Sequence, residues 1–485
     1  MSRMSSRPLV LALFVVLLAA PAREGVSSVE FEGAYERFFT DRTMRVDYFH
    51  TGRAEARVLT LDRVVDDGPW PGSRVRLLDE TNLGKYLFEV VDRATNRVIY
   101  SRGFATLYGE WETTPEAKRV WRTFHDSLRF PWPKAPVHVV LKRRADDSRF
   151  DQLWSEVIDP ASRFVNRAPL APAGRVWTIL ENGPASEKVD LLIIGEGYTE
   201  AQLPGFHDDA RRLVEALFRY EPFKSRRGDL NVRALDLPSG LAGVHRPQAG
   251  EPRRTPLSIE YNIFDSERYL LTQDNRALRD AASAAPYEFL EILVNEEYYG
   301  GGGIFNAHAT AAARNPYAEY LFVHEFAHHF AALGDEYYTS EVAYETGIER
   351  HPEPWEPNLT ATADRAALKW RDLVEPATPI PTPWPKAEFE AAQRDYQKTR
   401  RALRERGAPE SDMTALFRKE QALETRLLST SPHAGRIGAF EGAGYEERGL
   451  FRPAADCVMF SRNDVGFCLV CQRAIARIID LHSRR

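Results

Sequence analysis

The sequence predicts two parts, an all-β sandwich-like N-terminal unit followed by a larger α/β (α+β) unit. Three observations carry that expectation. From about residue 28 to 144 the chain reads as short runs of β-branched and aromatic residues separated by turn residues, the pattern of packed strands. Beyond about residue 155, continuous apolar strands alternate with amphipathic stretches at helical spacing, the order of a sheet covered by helices. The length, 485 residues, exceeds what one hydrophobic core fills, so more than one unit is expected. Hydrophobic content of 43% with 11% aromatics is sufficient to build such cores.

In chain order, the first segment carries Arg3 and Arg7, then an apolar run over 9–20, then Ala20-Pro21-Ala22. A positive start, a short apolar core and small residues predict a signal peptide over 1–22, cleaved after Ala22, and hence a secreted or periplasmic protein. The run is shorter than the roughly 20 residues that span a membrane, and no longer one follows, so stable membrane insertion is not expected. Formal charge is −6, and about −8 without Arg3 and Arg7. That balance gives no electrostatic reason to bind nucleic acid and leaves protein or peptide as the substrate class. Oligomeric state is not addressed by these features.

The N-terminal unit is placed at 28–146, with strands at 44–50, 57–65, 86–92, 97–104 and 135–142 and a hairpin turn over 92–97. Pro131, Pro133 and Pro136 stiffen the approach to the last strand, and the charged stretch 143–148 marks the boundary. Binding or docking is the expected role of this unit. The second unit is placed at 155–485, with strands at 189–194, 231–237 and 289–294 and helices at 206–218 and 270–285. Gly195-x-Gly197 follows a strand but lacks the third glycine of a nucleotide-binding turn, so a tight turn is expected. Gly301, Gly302 and Gly303 would let another backbone approach closely, either as a sheet edge that pairs an extended peptide or as a flexible loop. Asn358-Leu359-Thr360 is a glycosylation sequon. Residues 386–428 read as an inserted, solvated helical hairpin.

The chemistry is concentrated in His324-Glu325-Phe326-Ala327-His328. Four residues apart on a helix, His324 and His328 share a face and can aim at one zinc ion, while Glu325 stands beside it as a general base toward water. This is the pattern of a zinc-dependent peptidase. Leu321, Phe322, Val323, Phe326, Ala327, Phe330, Ala331 and Ala332 make the helix apolar nearly all round, and burying two imidazoles and a carboxylate there is costly without a metal. Gly334 is expected just past the helix end, in a left-handed conformation that swings Asp335 back as third ligand. Glu336 is an alternative, as is Glu341 or Glu345 further on. His329, about a hundred degrees round the helix from His328, is expected to be packed or hydrogen-bonded. The three cysteines, Cys457, Cys468 and Cys471, suggest one local disulfide with the odd thiol free, since a zinc cage needs four ligands and no second pair of cysteines exists.

The run 324–338 resembles the zinc segment of the IgA-peptidase-like (M64) metallopeptidases, a metzincin-type family. So do Asp190-Leu191-Leu192-Ile193-Ile194-Gly195-Glu196-Gly197-Tyr198-Thr199, Tyr299-Gly300-Gly301-Gly302-Gly303, Phe440-Glu441-Gly442-Ala443-Gly444-Tyr445, Cys457-Val458-Met459 and Phe467-Cys468-Leu469-Val470-Cys471. Thr43-Met44-Arg45-Val46-Asp47-Tyr48 resembles the start of that family's N-terminal domain. The resemblance implies a metzincin-like catalytic domain with one catalytic Zn2+, Met459 as a methionine turn beneath the histidines, and Asp335 as third ligand, one residue later than in ordinary metzincins. It implies a secreted zinc endopeptidase in which Glu325 is the base and Tyr337 or Tyr338 supports the oxyanion. Competing readings are a zinc peptidase with the downstream Glu341 or Glu345 as ligand, and an exported adhesion or binding protein with a structural metal. A structural site would not need Glu325. Immunoglobulin A cleavage is a property of particular family members and is not transferred.

Overall fold

Buried and half-exposed residues alternate without a break along Tyr86–Asp92, the period of a strand with one face in a core. The computed structural model, which describes residues 33–340 and 352–483, builds two four-stranded sheets around it. Their strands are β1 (Phe39–Arg53), β2 (Ala56–Pro69), β3 (Tyr86–Asp92), β4 (Arg97–Phe104), β5 (Arg122–Pro133), β6 (Val137–Arg144), β7 (Phe150–Ile158) and β8 (Val165–Asn166). The sheet orders are β5-β1-β2-β8 and β4-β3-β6-β7. Met44, Val46, Tyr48 and Phe130 of the first meet Phe88, Val90, Val139 and Leu141 of the second in one core. Short helices α1 (Ala34–Phe38) and α2 (Leu107–Trp111) flank the strands.

Two expectations fail here. The prolines at 131 and 133 lie inside β5, which pairs with β1 alone. An edge strand tolerates proline because one side of its backbone has no ladder to lose. The charged stretch 143–148 is the turn of a hairpin: β6 ends at Arg144 and β7 returns antiparallel, Arg144 opposite Phe150. Strands of these sheets therefore continue past residue 146, through β8, which pairs with β2. The signal-peptide reading of 1–22 lies outside the described residues.

The second part is built on a six-stranded sheet from β9 (Arg175–Leu180), β10 (Val189–Glu196), β11 (Leu230–Asp236), β14 (Phe289–Val294), β15 (Gly301–Ile304) and β16 (His308–Ala312). A small pair, β12 (Ile259–Glu260) and β13 (Leu271–Thr272), precedes the last three. In the order β15-β16-β14-β10-β11-β9 the four inner strands are parallel, and both edge strands are antiparallel to their neighbours. All eight residues of β10 and all six of β14 are buried, which explains their mostly apolar sequence, with Asp190, Glu196 and Glu291 as buried charged exceptions. Helices α3 (Leu203–Leu217), α4 (Asn275–Ala282) and α5 (Ala318–Ala331) follow within this part. Of the stretch 270–285 expected to be helical only α4 is, because Leu271 and Thr272 pair as β13 and Asp274 caps the helix through the Ala277 amide at 3.0 Å.

The chain closes with α6 (Lys386–Glu405), α7 (Glu410–Ser429), β17 (Phe440–Ala443), β18 (Glu446–Arg452) and α8 (Leu469–His482). The α6–α7 hairpin is not a solvated insert. Phe389 joins the main core, while Tyr396, Met413 and Phe417 form a cluster against Tyr299 and Tyr317. No described helix is long and apolar enough to cross a membrane.

A buried ion network joins the two parts. Arg45, fully buried, meets Asp47 at 3.0 Å and Asp67 at 2.6 Å and also reaches Asp280 of α4. Arg63 and Arg129 hold the same aspartates at 2.8 and 2.7 Å. Removing one member of such a network strands charge in the interior. Arg45→Met is expected to cost about 3 kcal/mol, the low end for a broken buried pair because Arg63 and Arg129 remain. Arg42→Ala, at the half-exposed Asp66 pair, should cost about 1 kcal/mol or less. Urea unfolding midpoints read the difference, and equal losses would contradict the network's importance.

Candidate metal centre

Helix α5 is apolar on nearly every side, and ten of its fourteen residues are buried. It lies against β15 and β16 with α3 and α8 beyond. That closeness explains the glycines. A Cβ at Gly301 would stand 2.9 Å from Cγ of Glu325, and one at Gly303 would stand 2.2 Å from the Glu325 carbonyl oxygen and 2.8 Å from Cβ of His328. The glycine run is therefore the condition for the His-Glu helix to sit against the sheet edge. His329 is packed as expected, accepting from Leu290 N at 3.1 Å through Nε2 and donating from Nδ1 to Ile304 O at 3.0 Å.

The helix ends two residues earlier than the glycine suggested. Ala332 takes the left-handed conformation, φ 56°, and its amide bonds to His328 O at 3.1 Å. Gly334 has a different reason to be small: a Cβ there would meet Leu359 at 2.5 Å. Asn358 locks this loop, accepting from Gly334 N at 2.8 Å and donating to Gly334 O at 2.9 Å. With Asn358 fully buried, the sequon is a structural clamp and not an accessible attachment site.

After that turn Asp335 returns to the histidines. Its Oδ1 lies 3.0 Å from His324 Nε2 and 3.2 Å from His328 Nε2, and the two nitrogens are 3.1 Å apart. Zinc bonds of about 2.0–2.1 Å in a tetrahedron place neighbouring ligand atoms about 3.3 Å apart, so the triangle matches one face of such a site. The tautomers agree. His324 Nδ1 faces the Val458 carbonyl at 3.1 Å and His328 Nδ1 donates to the Leu333 carbonyl, so each Nε2 presents a lone pair to the other and to a carboxylate. Three acceptors converging in a buried wall require a cation between them. Without one, a proton serves: burial alone would lower His328, but Asp335 raises it to about 9. Burial opposes ionisation of Asp335, yet His328 and His324 hold it well below the usual carboxylate range.

Tyr445 completes the arrangement by donating to Asp335 Oδ2, which leaves Oδ1 for the histidines. The Asp335 carbonyl also accepts from Gly444 N at 2.9 Å. Glu325 stands on the same helix beside the two histidines, and burial raises its carboxyl against the lowering pull of both. These groups open on a cleft of about 530 Å³, lined among others by Arg268, Tyr269, Tyr320, Tyr337 and, from the α6–α7 hairpin, Phe389, Gln393, Glu420 and Glu424. The hairpin is thus a wall of the cleft.

Other expected residues sort clearly. Tyr337 lines the cleft, stacks 6.0 Å from His324 and accepts from Arg268 at 3.4 Å. Tyr338 turns away, bonding Glu390 at 3.3 Å and packing on Phe389 and Trp384, so its hydroxyl does not reach the cleft. Met459 is fully buried in a turn just past Val458. Glu336 points away from the histidines, 3.3 Å from Cys471 Sγ and 3.0 Å from Asn358 Nδ2. The alternatives Glu341 and Glu345 lie outside the described residues. On the edge strand, Gly301 is engaged by the Arg268 carbonyl at 3.1 Å and the Leu270 amide at 3.2 Å, and the Phe305 carbonyl by the Ala105 amide at 2.9 Å. Alternation turns Gly302 toward β16 and the backbone groups of Gly303 outward between those two contacts.

The sequence places Tyr445 and Val458 in stretches that resemble the family but assigns neither a role, and it does not single out Arg268. Tyr445 follows the Gly442-Ala443-Gly444 turn and itself has φ 67°, an uncommon conformation for a tyrosine, but nothing local links it to a residue 110 positions earlier.

Residues 177–479 match the family model described as IgA Peptidase M64, and residues 34–155 match that of the Peptidase M64 N-terminus. No curated protein matches the chain.

Asp335→Ala removes one of three converging donors and should lower divalent-metal affinity most. Tyr445→Phe, which loses only the hydroxyl on Oδ2, should lower it about 10- to 100-fold, the usual effect of an orienting partner. Tyr338→Phe should leave it unchanged. Competition with a chromophoric chelator ranks the three, and a Tyr338→Phe effect as large as that of Tyr445→Phe would contradict the assignment.

Proposed function

The chain belongs to the IgA peptidase M64 family, and on that premise we propose that it is an exported, zinc-dependent endopeptidase whose catalytic unit is metzincin-like. Membership makes it a metallopeptidase-type hydrolase acting on protein or peptide substrates. The observation that carries the finer reading is the triangle of His324 Nε2, His328 Nε2 and Asp335 Oδ1, with edges of 3.0–3.2 Å and Glu325 alongside. Two imidazoles and one carboxylate with a side open to a cleft are a donor set suited to catalytic zinc. The metzincin-like reading is supported by the antiparallel edge strand over the histidine helix and by the turn at 458–460 that brings Val458 to His324. Export rests on the sequence of residues 1–22.

Bound there, zinc supplies Lewis acidity, polarising a peptide carbonyl and bringing the pKa of water to roughly 7. Glu325 removes the proton of the attacking water and delivers it to the leaving amide nitrogen. Tyr337 accepts from Arg268, so its own proton is free to meet the carbonyl oxygen as charge develops there. Gly303 offers its outward backbone groups to an extended substrate, the β-augmentation mode. Asp335 is held for its role by Tyr445, and His324 by the Val458 carbonyl.

Chelation should abolish peptide cleavage and zinc should restore it. Glu325→Ala should lower turnover at least 10²-fold, the scale of a lost general base, with the metal retained. A digest of an unbiased peptide library, read with metal content, checks both. An emptied site in Glu325→Ala would show that Glu325 is a ligand and not the base.

A further inference from the structure

Behind the histidine triangle, a second group of metal-ligating side chains converges that the proposed chemistry does not use. Glu336, Cys457, Cys468 and Cys471 bring one ligand atom each to within 4.8 Å of one another. They come from three separate places: the loop after α5, the residue just before the 458–460 turn, and the start of α8. Glu336, Cys457 and Cys471 are buried and Cys468 is partly buried. The local disulfide expected from the sequence is not formed. Cys468 Sγ and Cys457 Sγ lie 3.5 and 3.9 Å from Cys471 Sγ, far from the 2.05 Å or so of a disulfide bond. All three cysteines are free.

We propose that Glu336, Cys457, Cys468 and Cys471 form a second, structural site for a thiophilic divalent cation, with zinc as its natural occupant. A tetrahedral ion with bonds of about 2.3 Å to sulfur and 2.0–2.2 Å to oxygen sets sulfur atoms about 3.8 Å apart and sulfur to oxygen about 3.5 Å. The sulfur separations of 3.5 and 3.9 Å and the 3.3 Å from Cys471 Sγ to Glu336 Oε1 fit those edges. Four protein ligands close the sphere, which is the mark of a structural rather than a catalytic site.

Independent features agree. Glu336 Oε2 is buried without a hydrogen-bond partner, a costly state for a carboxylate unless a cation is near. Asn358 Nδ2 fixes the other oxygen at 3.0 Å. The Cys468 amide donates to Cys457 Sγ at 3.4 Å, and Cys468 and Cys471 occupy the N-cap and first turn of α8, where the helix end favours thiolate. A second pair of cysteines is not needed for such a site. The fourth ligand is a glutamate 121 residues before Cys457.

The site has a use. Glu336 follows Asp335 directly, and Cys457 precedes Val458, whose carbonyl orients His324. An ion there ties both segments to α8 from behind.

Metal content and cobalt(II) spectroscopy on the purified chain test this. About two zinc ions per chain are expected, and the cobalt(II)-loaded chain should show a thiolate-to-cobalt charge-transfer band in the near ultraviolet. The band should survive in the His324→Ala/His328→Ala double variant, which keeps one ion, so failure of the histidine site does not decide this one. Cys468→Ser should lose the band and one ion. Because the band is read on the unsubstituted chain, the test does not depend on any variant folding. Absence of the thiolate band from the cobalt-loaded unsubstituted chain, or a mass two hydrogens low from a disulfide among these cysteines, would overturn the proposal.

Discussion

Two imidazole nitrogens and a carboxylate oxygen face one another at 3.0–3.2 Å in a buried wall, and electron pairs at that distance need a positive charge between them. Much of the second part can be understood as meeting that requirement. Helix α5 must lie against the sheet edge, so β15 is glycine where the helix crosses it. The chain must reverse directly after the helix, so Ala332 accepts a left-handed backbone and Asn358 ties the following loop. Each imidazole must present Nε2, so carbonyls of Val458 and Leu333 take the Nδ1 protons. Tyr445 takes the second carboxylate oxygen of Asp335, which orients the first.

Asp335 and Glu336 have opposite duties because they are adjacent. In an extended segment successive side chains point to opposite sides, and here the Glu336 amide is held to the Met459 carbonyl at 2.9 Å. One carboxylate turns to the cleft and the other to the cysteines. The same holds across from them, where Val458 meets His324 and Cys457 meets the sulfur cluster. Two neighbouring segments thus serve both groups, and packing on one side sets geometry on the other. The α6–α7 hairpin closes the cleft with Gln393, which bonds the buried Glu420 and Glu424 at 3.0 and 2.7 Å.

Features with a local cause were legible in the sequence. Helix α5 announces itself by an apolar surface carrying a His-Glu-x-x-His run, β3 by its alternation, β10 and β14 by mostly apolar runs, and the hairpin at 92–97 by its turn residues. Asp335 was reachable because it is only a loop away from His328. What stayed hidden depends on segments far apart in the chain. Tyr445, Arg268 and the Val458 carbonyl meet α5 only through tertiary packing, and Glu336 joins cysteines from the far end of the chain. The strand β5 was obscured by prolines that an edge position tolerates, and the 143–148 turn looked like a boundary because a charged hairpin turn and a charged linker have the same composition. Helical spacing alone did not reveal that the α6–α7 hairpin buries one face against the cleft.

The central claim is that His324, His328 and Asp335 together hold the ion. Anomalous diffraction at the zinc edge, from crystals of the chain grown with zinc, tests it most directly. The account predicts a peak within about 2.0–2.2 Å of the Nε2 atoms of both histidines and of an Asp335 carboxylate oxygen. A peak at the histidines with its third contact from Glu341, Glu345 or another residue in place of Asp335, or no peak there at all, would contradict it.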